Sequence, residues 1–304
     1  MINVGIIGAS GFVGSNILKL LLNHSKIANI ELFSNTYCGK KISDLYPEIK
    51  SDLVLKSVCY SLINKLDVVF LAVPHGKAKE HVDKIETKII DMTSDHRTEW
   101  VYGLPEIFGN EITKASKVAN PGCYATSCIL NVYPIIDNVE FVVFDSISGY
   151  SGGGKNHGYD IDENIITYKI FNHRHIDEMR KVLSDKFSFT PHVVNAFRGI
   201  MTTSHIKLKT SMDKNEIIEI YKKFYDNTFT KVLDKIPDTK SVANTPFCFI
   251  GGFEFDYTGT LIIISVLDNL LKGAASQAVE NMNLIFGLPH YFSLDDRGEN
   301  EIMG

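Results

Sequence analysis

Three stretches of the chain carry residue types suited to covalent chemistry. They are Cys123 in Asn120-Pro121-Gly122-Cys123-Tyr124-Ala125-Thr126, the pair His173 and His175, and the arginines Arg97, Arg174 and Arg198. Cys123 stands where a helix should begin. Lys117-Val118-Ala119 reads as the end of a short strand, Pro121 and Gly122 break the chain, and Tyr124 to Val132 is helix-compatible. A thiol in the first turn of a helix faces unpaired backbone N–H groups and the positive end of the dipole, which favour the nucleophilic thiolate. Most free cysteines are small buried hydrophobes, so these seven residues alone leave both readings open.

Attack of a thiolate on a carbonyl also needs a proton donor for the oxyanion or leaving group and a cation for the substrate's charge. Histidine titrates near neutral pH, which makes His173 and His175 the acid/base candidates. At i, i+2 they point the same way in extended chain and diverge in a helix. Arg97 and Arg198 are the candidate anion-binding cations, and Arg97 reads equally well as a surface salt-bridge partner. Ser151, in the hydroxyl-rich loop from Gly149 to Lys155, is the third candidate for substrate or phosphate binding. No carboxylate and no third His or Cys stands near the histidines at ligand spacing, so no metal is expected.

The elements that must position these groups begin with a strand, Asn3 to Ile7, and the turn Gly8-Ala9-Ser10-Gly11-Phe12-Val13-Gly14, followed by a helix with Ile17, Leu18, Leu20, Leu21 and Leu22 on its apolar face. Strand, glycine turn and helix form a dinucleotide-binding opening, in which backbone N–H groups approach a pyrophosphate at the helix N-terminus. The spacing is G-x-x-G-x-x-G rather than G-x-G-x-x-G. Gly8, Ser10, Gly11, Phe12 and Val13 are the expected cofactor contacts. The next strand, Asn29 to Phe33, ends in Ser34 where an NAD site would place a carboxylate, and Lys40 and Lys41 follow. Hydroxyls and cations in place of a carboxylate suit a 2′-phosphate, so NADP(H) is the expected cofactor. A buried strand, Asp67 to Val73, leads into Pro74-His75-Gly76. A helix from about Lys77 to Ile85 and a strand Lys88 to Met92 continue a parallel β-α-β rhythm. Strand carboxyl ends place Pro74 and the Thr93-Ser94-Asp95-His96-Arg97 segment at the ligand crevice.

After Cys123 the pattern changes to long strands with few helices. Strands are expected at Glu140–Ser146, His192–Val194, Gly199–Lys209 and Phe247–Leu267, the last broken at glycines. Helices are expected from the His173–His175 segment, with Met179, Val182 and Leu183 inward, and over Asn215–Tyr225. A mostly antiparallel sheet is therefore expected in a second domain. A last helix, opened by Lys272-Gly273-Ala274-Ala275-Ser276 and running to about Phe286, returns to the first domain. The expected architecture is α/β: a Rossmann-type dinucleotide-binding domain (1–121 and 272–304) and an α+β catalytic and dimerisation domain (122–271).

Bulk properties exclude several classes. At 304 residues, with 44% hydrophobic and 22% charged residues, the chain has the composition of a soluble globular protein of two domains. A net charge of −5 argues against nucleic acid or an anionic membrane as partner. No window approaches the ~18 apolar residues of a membrane span. Five cysteines, an odd number without C-x-x-C spacing, point to a reducing compartment, and a cytoplasmic location is expected. A nicotinamide cofactor together with a thiolate implies hydride transfer through a thioester.

The same residues carry a family resemblance. The glycine turn at Gly8–Gly14, Tyr102-Gly103-Leu104-Pro105-Glu106, the Asn120–Thr126 segment, Ser148-Gly149-Tyr150-Ser151-Gly152, Asn172-His173-Arg174-His175, Arg198-Gly199-Ile200 and Lys272 to Leu288 resemble, in order, the N-acetyl-γ-glutamyl-phosphate reductases. That resemblance implies Cys123 as nucleophile, His175 as acid/base and His173 as an aid to substrate placement. It also implies a small-molecule acyl-phosphate substrate, a step of arginine biosynthesis, and a homodimer or homotetramer. Three segments depart from the family pattern: Ser34-Asn35 where a Ser-Arg pair is common, Asp95-His96-Arg97 for Asp-Phe-Arg, and Ile176-Asp177-Glu178 for Thr-Pro-Glu. Reductases of carrier-protein-linked glutamyl or aminoadipyl phosphate and aspartate-semialdehyde dehydrogenases share this chemistry. A non-catalytic NADP-sensing protein on the same scaffold would lack the nucleophile or the acid/base.

Overall fold

The computed structural model describes residues 1–155 and 158–294. The chain divides into two compact units, Met1–Pro121 with Ala274–Gly304, and Gly122–Gly273. Residues 295–304, which the sequence assigns to the first domain, lie outside the described residues.

The first unit is built on seven strands: β1 (Ile2–Ile7), β2 (Ile27–Phe33), β3 (Leu55–Lys56), β4 (Val68–Leu71), β5 (Lys88–Asp91), β6 (Val101–Tyr102) and β7 (Lys117–Ala119). They form one sheet in the order β3-β2-β1-β4-β5-β7-β6, and all of its pairings are parallel. Val4, Ile6, Val68, Val69, Phe70, Leu71, Ile89 and Ile90 are all sealed from solvent, as expected of parallel strands covered on both faces. The strand order reverses between β1 and β4, and at that switch point the carboxyl ends of the two strands open a ligand crevice.

The helix Phe12–Leu22 packs against the helix Ala275–Ile285, which also meets the helix Pro105–Ile112. The polar residues of Ala275–Ile285 are buried, and two of its asparagines are bonded to neighbouring segments. His24 Nε2 lies 2.9 Å from Asn283 Oδ1. Asn281 Nδ2 donates to Gly103 O at 2.9 Å and to Asn120 Oδ1 at 3.0 Å. The helix expected over Lys77–Ile85 is shorter, Lys79–Val82. Asn64 captures both Lys84 O (3.2 Å) and the N–H of Glu86 (3.1 Å), which draws the chain out of the helical ladder.

The second unit carries β8 (Val139–Gly149), β9 (Ile165–Thr167), β10 (Phe187–Val194), β11 (Ile200–Leu208), β12 (Thr230–Val232), β13 (Cys248–Phe255) and β14 (Leu261–Leu267). Their order is β12-β13-β14-β11-β8-β10-β9. Most pairings are antiparallel, but β8–β10 and β12–β13 run parallel, so the sheet is mixed. The parallel β8–β10 pair requires a crossover, and the crossover contains the helix His175–Leu183. Along β8 the burial alternates, with Val142, Phe144, Ser146 and Ser148 inward and Phe141 and Ile147 outward. The inner face carries the helix Cys123–Val132, which packs on β11 and β14 and against His175–Leu183.

Candidate active site

The helix Cys123–Val132 is buried from Tyr124 to its end, and its hydroxyls are met in the core. Ser127 Oγ lies 2.9 Å from Thr202 Oγ1 and 2.9 Å from Ser265 Oγ. At the C-terminal end the hydroxyls of Tyr221 and Tyr225 donate to Asn131 O (2.7 Å) and Leu130 O (2.5 Å), satisfying carbonyls that a helix end leaves open. The helix is thereby pinned along its length, with Cys123 as its first residue and Gly122 as N-cap.

Cys123 is partly exposed in a small pocket lined also by Tyr124, Ser148, Tyr168, His173, Arg174 and His175. His173 and His175 are 4% and 2% exposed, so both imidazoles are taken out of bulk water at the pocket wall. Neither geometry foreseen for an i, i+2 pair applies: His173 precedes the helix and His175 opens it. Their ring centroids lie 4.5 Å apart in a T-shaped contact. The Nδ1 of His173 accepts the N–H of His175 at 3.2 Å, which places the proton of a neutral His173 ring on Nε2.

His175 rests directly on the backbone before the nucleophile. A Cβ at Gly122 would lie 2.2 Å from His175 Nε2, and a Cβ at Gly273 would lie 2.7 Å from Cys123 Cβ. Glycine at both positions lets the imidazole and the cysteine approach main chain closely. Glu178, 1% exposed, stands behind the histidine: its Oε2 accepts the Gly122 N–H at 2.9 Å and its Oε1 lies 3.9 Å from His175 Nε2.

Burial holds several neighbours in their protonated forms. It raises the hydroxyl pKa of Tyr124 far above the ordinary tyrosine range, and raises that of Tyr168 as well. Tyr124 donates to His192 O at 2.6 Å. Burial likewise pushes the Cys128 thiol up to about 12, with the Ser146 hydroxyl opposing the shift. Cys128 is therefore a packed thiol at neutral pH and Cys123 is the thiol that faces the pocket.

The three residues expected to bind substrate anions are engaged elsewhere. Arg97 is 4% exposed, and its guanidinium donates to Asn120 O (2.9 Å) and Met92 O (3.3 Å). The Ser151 hydroxyl accepts from Asn269 Nδ2 at 2.9 Å. Arg198 pairs with the buried Asp268 at 2.7 Å. Neither Ser151 nor Arg198 lines the cysteine pocket; Arg174, which the sequence places between the two histidines, does.

In the first unit, β1 ends in Gly8 at φ +89°, where a Cβ would lie 2.2 Å from Ala72 O. At Gly14 it would lie 2.4 Å from Gly8 O. Both glycines are thus required by close backbone approach. The helix behind the turn has no side-chain cap at Gly11, and the start of a helix favours an anion. Ser10 Oγ and Ser34 Oγ meet at 3.0 Å, and Pro74 is exposed just beyond β4. A glycine cradle with an uncapped helix start fits a dinucleotide pyrophosphate, and Ser34 in place of a carboxylate fits a 2′-phosphate. Of the two lysines beyond it, Lys41 is paired with Asp52 at 2.6 Å, while Lys40 Nζ lies 5.8 Å over the Tyr37 ring.

The sequence assigns no role to Glu178 or Gly122, and it names Arg174 among the candidate cations without placing it at the substrate. A signal existed for Arg174, between the two histidines, whereas the contacts of Glu178 depend on a segment 56 residues away.

A parallel nucleotide-type sheet, a mixed-sheet unit and a cysteine at a helix start together define the class of semialdehyde dehydrogenases. Family models described as semialdehyde dehydrogenase, NAD binding domain, and semialdehyde dehydrogenase, dimerisation domain, match residues 3–115 and 123–269. Aspartate semialdehyde dehydrogenase II from Vibrio cholerae superposes with a TM-score of 0.79 at 19% identity, over 94% of this chain and 98% of that one. The Candida albicans aspartate semialdehyde dehydrogenase, solved with NADP, gives a TM-score of 0.74 at 16% identity, over 96% and 99%. These likenesses speak to fold.

Relatives by sequence are closer. The N-acetyl-gamma-glutamyl-phosphate reductase of Methanocaldococcus jannaschii is 40% identical over 99% of this chain and 100% of its own. That of Thermoanaerobacter pseudethanolicus is 41% identical over 97% and 98%. The chain belongs to the N-acetyl-gamma-glutamyl-phosphate reductase family.

Proposed function

We propose that this protein reduces N-acetyl-γ-glutamyl phosphate with NADPH to N-acetylglutamate 5-semialdehyde and phosphate, in arginine biosynthesis, through a thioester on Cys123. The observation that carries the reading is the meeting of Cys123, His173 and His175 in one pocket, in a chain whose relatives of similar length are named as this reductase.

The Sγ of Cys123 attacks the acyl carbonyl; the S–C bond forms and the C–O bond to phosphate breaks. His175 holds the thiol's proton and delivers it to the departing phosphate oxygen. His173, fixed through its Nδ1 by the His175 amide, turns its Nε2–H toward the substrate. NADPH, when bound, supplies the hydride that converts a thioester to an aldehyde. Gly8, Ser10, Gly11, Phe12, Val13, Ser34 and Pro74 hold the cofactor in this reading. Arg174, exposed at the pocket, is better placed than Arg198 or Ser151 to meet an anionic substrate. Arg97, bonded to the Asn120 and Met92 carbonyls, braces the segment that leads to the nucleophile.

We place the protein in the cytoplasm as a homodimer or homotetramer, with no nucleic acid or membrane partner. The matched dimerisation-domain model and the outward Phe141 and Ile147 of β8 support self-association. Among the described residues no helix is long and apolar enough to cross a membrane. The test is NADP⁺ reduction with N-acetylglutamate semialdehyde, aspartate semialdehyde and a carrier-linked analogue, each with and without phosphate. Phosphate-dependent turnover of the N-acetylated aldehyde alone is the expected result; preference for either other aldehyde overturns the substrate assignment.

A further inference from the structure

We propose that Glu178 is a positioning residue for this reaction: its buried carboxylate ties the imidazole of His175 to the main chain of the nucleophile's turn. The inference rests on the thioester chemistry proposed above, with His175 as the proton carrier.

His175 and Glu178 lie three residues apart in the first turn of the helix His175–Leu183 and therefore share a face. One carboxylate oxygen receives the Gly122 N–H at 2.9 Å, and the other lies 3.9 Å from His175 Nε2. The second distance exceeds a hydrogen bond, so this coupling is one of charge. A buried carboxylate stays ionised only where hydrogen bonds and an opposite charge offset its lost hydration. The Gly122 N–H, the start of its own helix and the His175 imidazole are the groups that meet the Glu178 carboxylate. The carboxylate in turn favours the imidazolium form of His175.

Glu178 is not on the pocket lining; it acts through the histidine and the turn. When Cys123 gives its proton to His175, the thiolate–imidazolium pair gains a third, negative member that no substrate displaces. When the S–C bond forms and the phosphate C–O bond breaks, that proton leaves His175 for the phosphate oxygen, and Glu178 keeps its charge throughout. The other titratable groups facing this pair are Cys123, Tyr124 and Cys128 on the nucleophile's helix, and Tyr168, His173 and Arg174 on the segment before His175. Asp177 is the remaining acid of the same helical turn.

The experiment measures the pH dependence of iodoacetamide alkylation at Cys123 in the full-length protein without substrate, read on the Cys123 peptide by mass spectrometry so that Cys38 and Cys59 do not contribute. It is run on wild type, Glu178→Gln and Glu178→Asp, together with kcat, KM and NADPH affinity. Glu178→Gln keeps an oxygen for the Gly122 N–H and removes the charge. Its alkylation midpoint is expected to rise by about one pH unit, with kcat down about tenfold. KM and NADPH affinity stay within about twofold, and Glu178→Asp recovers part of both losses. An unchanged alkylation curve in Glu178→Gln overturns the proposal, as does equal loss in the Gln and Asp variants.

A second readout requires no variant. The His175 imidazole of the wild type, followed by NMR, should titrate above its ordinary value near 6.5, and titration below that value overturns the proposal. Both readouts are made without substrate. A shifted alkylation curve combined with no turnover of the N-acetylated aldehyde would uphold the pairing and reject only the substrate assignment.

Discussion

Gly122→Ala tests the geometry of the site through one added methyl group. Gly122 has φ −76° and ψ 150°, angles that alanine adopts without strain, and its N–H to Glu178 survives the change. What the methyl meets is the His175 ring, with Nε2, Cδ2 and Cε1 at 2.2, 2.5 and 2.5 Å from the new Cβ. Ordinary contact is ~3.5 Å, so the imidazole must retreat by roughly 1.3 Å. Behind it stand His173, at 4.5 Å between ring centroids, and Tyr124, at 5.9 Å, and the site is packed. A displacement of ~1 Å in a reacting group costs about 10²-fold in rate, and overpacking costs about 1–3 kcal/mol of stability. The variant should therefore lose about two orders of magnitude in kcat. Its melting temperature should fall by about 2–10 °C, and NADPH titration should be unaltered. Steady-state kinetics, a melting curve and cofactor fluorescence decide it. A kcat within about threefold of wild type would refute the placement of His175 as the proton carrier beside Cys123.

Three further outcomes follow from named contacts. His175→Asn should lower kcat by about 10²-fold or more while NADPH affinity, measured by fluorescence, stays within about twofold; an unchanged rate removes His175 from the mechanism. Arg198→Met leaves the buried Asp268 with only the N–H groups of Asn244 and Leu270. It should cost about 3 kcal/mol in denaturant unfolding, and stability equal to wild type would show that the pair is not structural. Lys40→Ala should weaken NADPH binding about tenfold and leave NADH binding unchanged, whereas Lys41→Ala, whose ammonium is paired with Asp52, should change NADPH binding by less than about threefold. Equal effects of the two substitutions would contradict this distinction between the lysines.

Much of the fold was legible because its signals are local. Continuous apolar runs marked β1, β4 and β5, and the glycine turn announced the first β-α-β unit. The strand β10 extends beyond the expected His192–Val194 to Phe187 and takes in Pro191, a residue disfavoured in strand interiors. The structure accommodates it where β9 has already ended, since β9 pairs only with residues 192–194. The parallel β8–β10 pairing was also hidden, because register between strands so far apart in sequence leaves no local mark. At the site, Cys123, His173 and His175 could be picked out by type and by placement at helix starts. Arg97 is a candidate by its place beyond a strand's carboxyl end, Ser151 by its hydroxyl-rich loop and Arg198 by type, and the partners that meet them, the Asn120 and Met92 carbonyls, Asn269 and Asp268, are apparent only in three dimensions. Glu178 reads in sequence as an ordinary acid of a first helical turn. Only the fold brings the Gly122 N–H to it.

The central claim is that Cys123 carries the acyl group. It is tested most directly by mixing the enzyme with N-acetyl-γ-glutamyl phosphate in the absence of NADPH, quenching in acid and mapping the peptides by mass spectrometry. The account predicts one N-acetylglutamyl group on the Cys123 peptide, formed with an equal amount of released phosphate, and none in Cys123→Ser. Phosphate release at the wild-type rate in Cys123→Ser, or an acyl group found on another residue, would contradict it.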